Sequence, residues 1–129
     1  MRALPLLFLL LLVACVARSR QTGPGSDVLT AEEIASVPAT NIYDVVRRLR
    51  PQWLRQRSAP TVRDPQPTRP VVYVDGVPQG SVGVLRDYRR ENVIRMEFLG
   101  PSDATNRFGT GHSGGVILVT TGRNEGVGG

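Results

Sequence analysis

The sequence of 129 residues has one cysteine, one histidine and no lysine, and aromatic residues make up 5% of it. A single sulfur, Cys15, can build neither a disulfide framework nor a thiolate metal cluster. His112 has Asp103 as its nearest carboxylate in sequence, whereas a metal site needs several convergent ligands, so no metal is expected. Ser113 adjoins that histidine, but neighbours in an extended loop point apart, and nothing supplies an orienting acid or an oxyanion hole. With no acid–base constellation anywhere, we expect no enzyme and no cofactor. All 16 basic residues are arginine, against 11 acidic ones, for a net charge of +5. They are scattered and have few aromatics among them, unlike a nucleic-acid platform, so no nucleic-acid partner is expected.

Long hydrophobic runs are also scarce, with one exception. "MRALPLLFLLLLVAC" carries one positive charge at Arg2 and then an apolar run. It is shorter than the about 20 residues a membrane span needs, and it has the layout of an export signal. Leu12-Val13-Ala14-Cys15 resembles the lipobox of bacterial lipoproteins, in which the cysteine is acylated and becomes the new N-terminus; the alternative is an ordinary signal peptide with an incidental cysteine. The resemblance implies a signal over residues 1–14, lipidation at Cys15 by diacylglyceryl and fatty acyl (palmitate) chains, and, with Val16 following, sorting to the outer membrane. Several acyl chains make such an anchor stable where one would not.

Residues 15–26 read as a tether bearing that lipid. Thr30-Ala-Glu-Glu33 matches a capping box, which predicts a short helix with Ile34 and Val37 on its apolar side; Glu32 and Glu33 suit its N-terminus. Asn41 is a second N-cap, and Ile42, Val45, Val46 and Leu49 recur at i, i+3, i+4, i+7 along a helix closed by Pro51. Arg47, Arg48 and Arg50 are expected on its solvated face, and Trp53 in the core.

From 55 to 69, "RQRSAPTVRDPQPTR" predicts an exposed loop. "PVVYVDG" predicts a strand closed by an Asp75-Gly76 turn, where Asp is favoured for local hydrogen bonding. Because it is apolar at every position, this strand should be buried on both faces, like "GVILVTT" near the C-terminus. Ser81 to Tyr88 predicts a short helix. In "NVIRMEFL", Ile94, Met96 and Phe98 should face the core, and Arg95 and Glu97 the solvent. Residues 122–129 read as a disordered tail. The elements describe one α/β (α+β) domain over 27–121, a small mixed sheet with short helices, large enough for a modest core.

Gly109-x-Gly111-x-x-Gly114 has the spacing of the dinucleotide fingerprint. That motif requires a strand before it and a helix after it, whereas here the β-branched run Val116–Thr121 follows. A different reading comes from three segments taken together. "LTAEEIASVPATNIYDVVRRL", "VVYVDGVP" and "NVIRMEFLGPSDATNRFGTGHSGGVILVTT" resemble, in order and spacing, the plug domain of TonB-dependent outer-membrane receptors. The resemblance spans about Val28 to Thr121. It implies that Gly109, Gly111, Gly114 and Gly115 form a structural loop that lets the last strand pack beside its neighbours, with no phosphate involved.

In those receptors the plug fills a β-barrel, which would require on the order of a hundred further residues. The expectation for this chain is therefore a stand-alone plug-like domain, anchored by lipid on the periplasmic face of the outer membrane. It would bind an outer-membrane barrel, another envelope protein or a ligand, linked to TonB-dependent transport. The competing expectation is an autonomous module that forms homo-oligomers. Arg55, Arg57, Arg63 and Arg69 in the proline-rich loop are the candidate partner contacts, suited to carboxylate or phosphate groups, unless the loop is a plain connector.

Overall fold

A computed structural model describes residues 27–56 and 68–122. Cys15, the signal and the tether lie outside the described residues, as do most of the 55–69 loop and the tail from 123. Five strands form one sheet: β1 (Val28–Thr30), β2 (Val71–Val74), β3 (Val77–Ser81), β4 (Val93–Leu99) and β5 (Val116–Thr121). Their order is β1-β4-β5-β2-β3. Only β2 and β5 are parallel; the other pairs are antiparallel. This is the mixed sheet with short helices that the sequence predicts.

Both helix starts behave as expected. Thr30 caps α1 (Ala31–Ser36), its hydroxyl accepting from the Glu33 backbone while the Glu33 carboxylate accepts from Thr30 N at 3.0 Å. Asn41 caps α2 (Ile42–Leu49), with Asp44 N donating to its Oδ1 at 3.0 Å. Ile34, Ile42, Val45 and Val46 are buried against one sheet face, where Leu29, Val72, Met96, Ile117 and Val119 meet them. The segment from 81 to 88 is a 3₁₀ helix (Val82–Asp87) rather than an α-helix, and it buries Val82 and Leu85, three residues apart. That spacing is one turn of the tighter helix. Trp53 is 1% exposed and stacks on Phe98 with ring centroids 5.9 Å apart.

Three expectations need correction, and a fourth needs extending. Arg50 does not join Arg47 and Arg48 in solvent. It is buried, and its Nη2 donates to Glu33 Oε1 at 3.3 Å while Nη1 donates to Leu49 O at 2.9 Å. As C-cap of α2 it has left the helical path (φ −141°, ψ 58°), so helical spacing no longer sets where it points. In β4 the register slips between Val93 and Arg95. The extra residue of this β-bulge turns Ile94 outward, 48% exposed, and Val93 takes the core position.

The strands β2 and β5 are covered fully on one face only. Val72, Val74, Ile117 and Val119 are buried there, whereas Val71, Tyr73 and Leu118 on the other face are half-buried. Among the described residues the helix α3 (Pro101–Phe108), about 12 Å long, contacts β4, and Ala104 and Val116 are both fully buried outside the main core. Finally, Asp75 bonds well beyond its own turn. It adopts φ 49° at the β2–β3 turn and accepts from Thr121 N at 2.9 Å and Thr121 Oγ1 at 2.5 Å, tying the turn to β5.

Two strands, β1 and β3, are additional to those read from the sequence. All of β3 is exposed, and it forms one edge of the sheet. Pro78, opposite Tyr73, brings no N–H to that edge.

The buried arginine joins α1 to α2, so its loss should matter more than that of its neighbours. Arg50→Ala should cost about 2–4 kcal/mol by urea denaturation, because it takes the ionic partner from the half-buried Glu33. Arg48→Ala, on the exposed side, should stay within roughly 0.5 kcal/mol of wild type. Equal effects of the two changes would mean that the Arg50–Glu33 pair does not hold the helices together.

Candidate functional site

The features with chemical character gather around the glycine loop. Gly100 and Pro101 start α3, the proline sitting where its missing N–H is harmless. Gly109 ends the helix at φ 88°, ψ −170°, a conformation open in practice to glycine alone. Gly111 and Gly115 also have positive φ, at 97° and 88°.

Gly114 is glycine for another reason. A Cβ there would lie 2.3 Å from the Arg69 carbonyl oxygen, inside van der Waals contact. At Gly115 a Cβ would lie 2.6 Å from Leu99 O and 2.8 Å from Phe98 Cζ. The loop thus slides between the start of β2 and the end of β4, and Val71 N donates to Gly115 O at 3.1 Å. A helix precedes this loop and a strand follows it, the reverse of a nucleotide-binding turn.

His112 closes the loop on itself and on the sheet. Its Nδ1 lies 2.9 Å from Gly109 O, a group that only accepts, so Nδ1 carries a hydrogen. Nε2 lies 3.0 Å from the Tyr73 hydroxyl, which donates to it in the neutral tautomer. The Tyr73 ring also meets Phe108, with centroids 4.4 Å apart, and Phe108 meets the His112 ring at 5.7 Å. Arg107 sits over Phe108 at 5.4 Å. Sequence reasoning missed this cluster, since its members lie 39 residues apart and only folding joins them. Among the described residues no three of His, Cys, Asp and Glu converge as metal ligands.

Of the four candidate arginines, Arg55 and Arg69 are described, and both are exposed. Arg57, Arg63 and Cys15 lie outside the described residues. Arg69 stands beside the glycine loop, its carbonyl against Gly114. Arg55 follows the 3₁₀ segment Pro51–Leu54, from which Trp53 reaches Phe98. The two candidate features, the glycine loop and the ends of the arginine loop, therefore share one end of the sheet.

The order of these parts has a counterpart among known families: a family model described as TonB-dependent Receptor Plug Domain matches residues 18–116. The match runs from ahead of β1 to the first residue of β5 and takes in α1, α2, the β2–β3 hairpin, α3 and all four glycines of the loop.

Two expectations follow from the loop. Gly114→Ala should destabilise the domain by roughly 1–3 kcal/mol, because the backbone of Arg69 must move, while Gly83→Ala, whose Cβ would find nothing nearer than 3.7 Å, should be close to neutral. Chemical denaturation compares them, and equal stability would remove the close-approach account. Calorimetry with common dinucleotides and nucleoside triphosphates should show no binding heat; micromolar affinity for any of them would overturn the backbone reading of the glycines.

Proposed function

The chain belongs to the TonB-dependent receptor plug domain family, and from that premise we propose that it acts without catalysis, as a lipid-anchored plug-like domain that binds another component of the outer membrane. The family is one of outer-membrane transport, which sets the compartment and the type of process. The finer reading is our own. Cys15, at the end of Leu12-Val13-Ala14-Cys15, carries the acyl chains, and the body lies on the periplasmic face. Its candidate partner is an outer-membrane barrel or another envelope protein, with the loop arginines offered to carboxylate or phosphate groups.

The observation that supports this most is the family match over residues 18–116. Together with it, the folded residues offer contact surfaces: the second sheet face is half covered, and Val71, Tyr73 and Leu118 stay partly open to a neighbour. Self-association through the sheet is the weaker reading, because edge strand β3 carries Pro78.

The test is recovery from native membranes. Tagged full-length chain, extracted in mild detergent, should bring down a defined envelope protein in constant proportion. Recovery of the chain alone, with concentration-dependent sedimentation of the purified chain, would favour the self-associating module. Metabolic labelling with a fatty-acid analogue should mark the wild type and miss Cys15→Ser; equal labelling of the two would reject the anchor.

A further inference from the structure

Helix α2 and the 3₁₀ helix Val82–Asp87 lie together on the covered face of the sheet. Ile42 N donates to Tyr88 O at 3.0 Å, and an antiparallel bridge joins Asn41 to Arg89. The start of one element is thereby fastened to the end of the other. Ile42 and Leu85 are both 0% exposed. The residue after each, Tyr43 and Arg86, is held at the surface by a neighbour locked in the core.

There the two side chains meet. Arg86 Cζ stands over the Tyr43 ring, 3.8 Å from its centroid. A cation–π contact engages the face of the guanidinium and leaves the N–H donors at its edge unspent. Among the described residues no carboxylate takes them up. Asp44 pairs with Arg47 at 3.2 Å, and Glu91 with Arg89 at 3.6 Å and Arg90 at 3.7 Å. Asp87, next to Arg86 in sequence, makes no such pair among these residues. Other arginines of the body spend their donors internally: Arg50 on Glu33 and Leu49 O, Arg90 on the Val37 carbonyl, Arg95 on Glu97.

The unspent donors are also accessible. Arg86 is exposed, and Gly83 leaves room beside it, since a Cβ there would find Arg86 Nη1 no nearer than 3.7 Å. Exposed Arg47 lies four residues after Tyr43, on the same side of α2, so a second cation borders the first. A guanidinium already fixed on a ring loses little freedom when it closes its fork on a carboxylate.

We infer that this face of α2 and the 3₁₀ helix receives an acidic segment of a protein partner, one carboxylate of which seats in the fork of Arg86. The inference deepens the proposed binding of an envelope protein, on which the class of partner rests. The signs of charge favour protein over lipid. Asp44, Asp87 and Glu91 stand on the same two elements or just after them, and a uniformly anionic bilayer would repel all three. A protein can set a cation opposite each. Tyrosine and arginine are moreover the residues in which protein interfaces are rich.

The experiment uses full-length chain in mild detergent, isotope-labelled at arginine and followed by nuclear magnetic resonance. The probes are a short peptide of alternating glycine and glutamate, the same peptide with glutamine for glutamate, and bicelles containing phosphatidylglycerol. The Arg86 Nε signal should move and saturate with the glutamate peptide and stay in place with the glutamine peptide. Arg86→Gln should weaken binding about tenfold, the worth of one charge-assisted hydrogen bond. Tyr43→Leu, which keeps the charge and removes the platform, should weaken it several-fold, and Gly83→Glu should block it by supplying an internal carboxylate. Arg95→Gln, on the other face of the sheet, should bind as wild type does. Circular dichroism shows that each variant is folded. Equal movement of the Arg86 and Arg95 signals, undiminished binding by Arg86→Gln, or bicelles that move Arg86 as far as the glutamate peptide does would each overturn the inference. Recovery from native membranes separates it from the broader reading. An envelope protein recovered equally by wild type and Arg86→Gln would keep that reading and overturn this one. Wild type that recovers no protein, yet seats the glutamate peptide on Arg86, would reject the reading and keep the site.

Discussion

Strand β5 lies between β4 and β2 because the chain enters it through backbone that carries no side chains. Gly114 passes the Arg69 carbonyl, and Gly115 passes the Leu99 carbonyl and the Phe98 ring, both closer than a Cβ would allow. Were that passage blocked, β5 could not reach its register with Val71 on one side and Leu99 on the other. The sheet would then split into β1–β4 and β2–β3, two-stranded pieces of marginal stability. Much of the remaining structure follows from β5 being seated. Ile117 and Val119 complete the core under α1 and α2, Val116 is fully buried, and Thr121 holds the side chain of Asp75.

The sequence was legible where a local rule matched the tertiary need. Thr30 and Asn41 are N-caps because their side chains satisfy backbone donors in the first turn, and this requires nothing from afar. The period of α2 and the Asp75-Gly76 turn are local in the same sense. Strand β3 was not legible, because "VPQGS" at an exposed edge has no core face to impose an apolar alternation. The Ile94 bulge defeated an alternation that looked regular, since one extra residue exchanges the faces. Arg50 defeated the helical wheel because it stands just past the helix, where its stem can turn inward to Glu33.

The candidate site was legible in composition and not in arrangement. The glycines at 109, 111, 114 and 115 stood out, and the strand after them argued against a nucleotide. Nothing in their spacing separates Gly109, needed for its dihedral angles, from Gly114, needed for its missing Cβ. The bond between Tyr73 and His112 and the nearness of Arg69 to the loop are products of the parallel β2–β5 pairing, which brings distant segments side by side. A lone histidine in a loop thus serves to fasten that loop to the sheet.

The central strand is also the last of the described strands. Until residues 116–121 are available, β4 lacks its longest partner and β2 lacks its parallel neighbour, so no stretch read from the N-terminus can close the sheet. Pairings of such sequence separation form late, after the entropy of a long loop has been spent. Assembly is consequently all-or-none with respect to residues 116–121, and the sheet stays open until they are in place. This order of strands makes every earlier pairing provisional until β5 is seated.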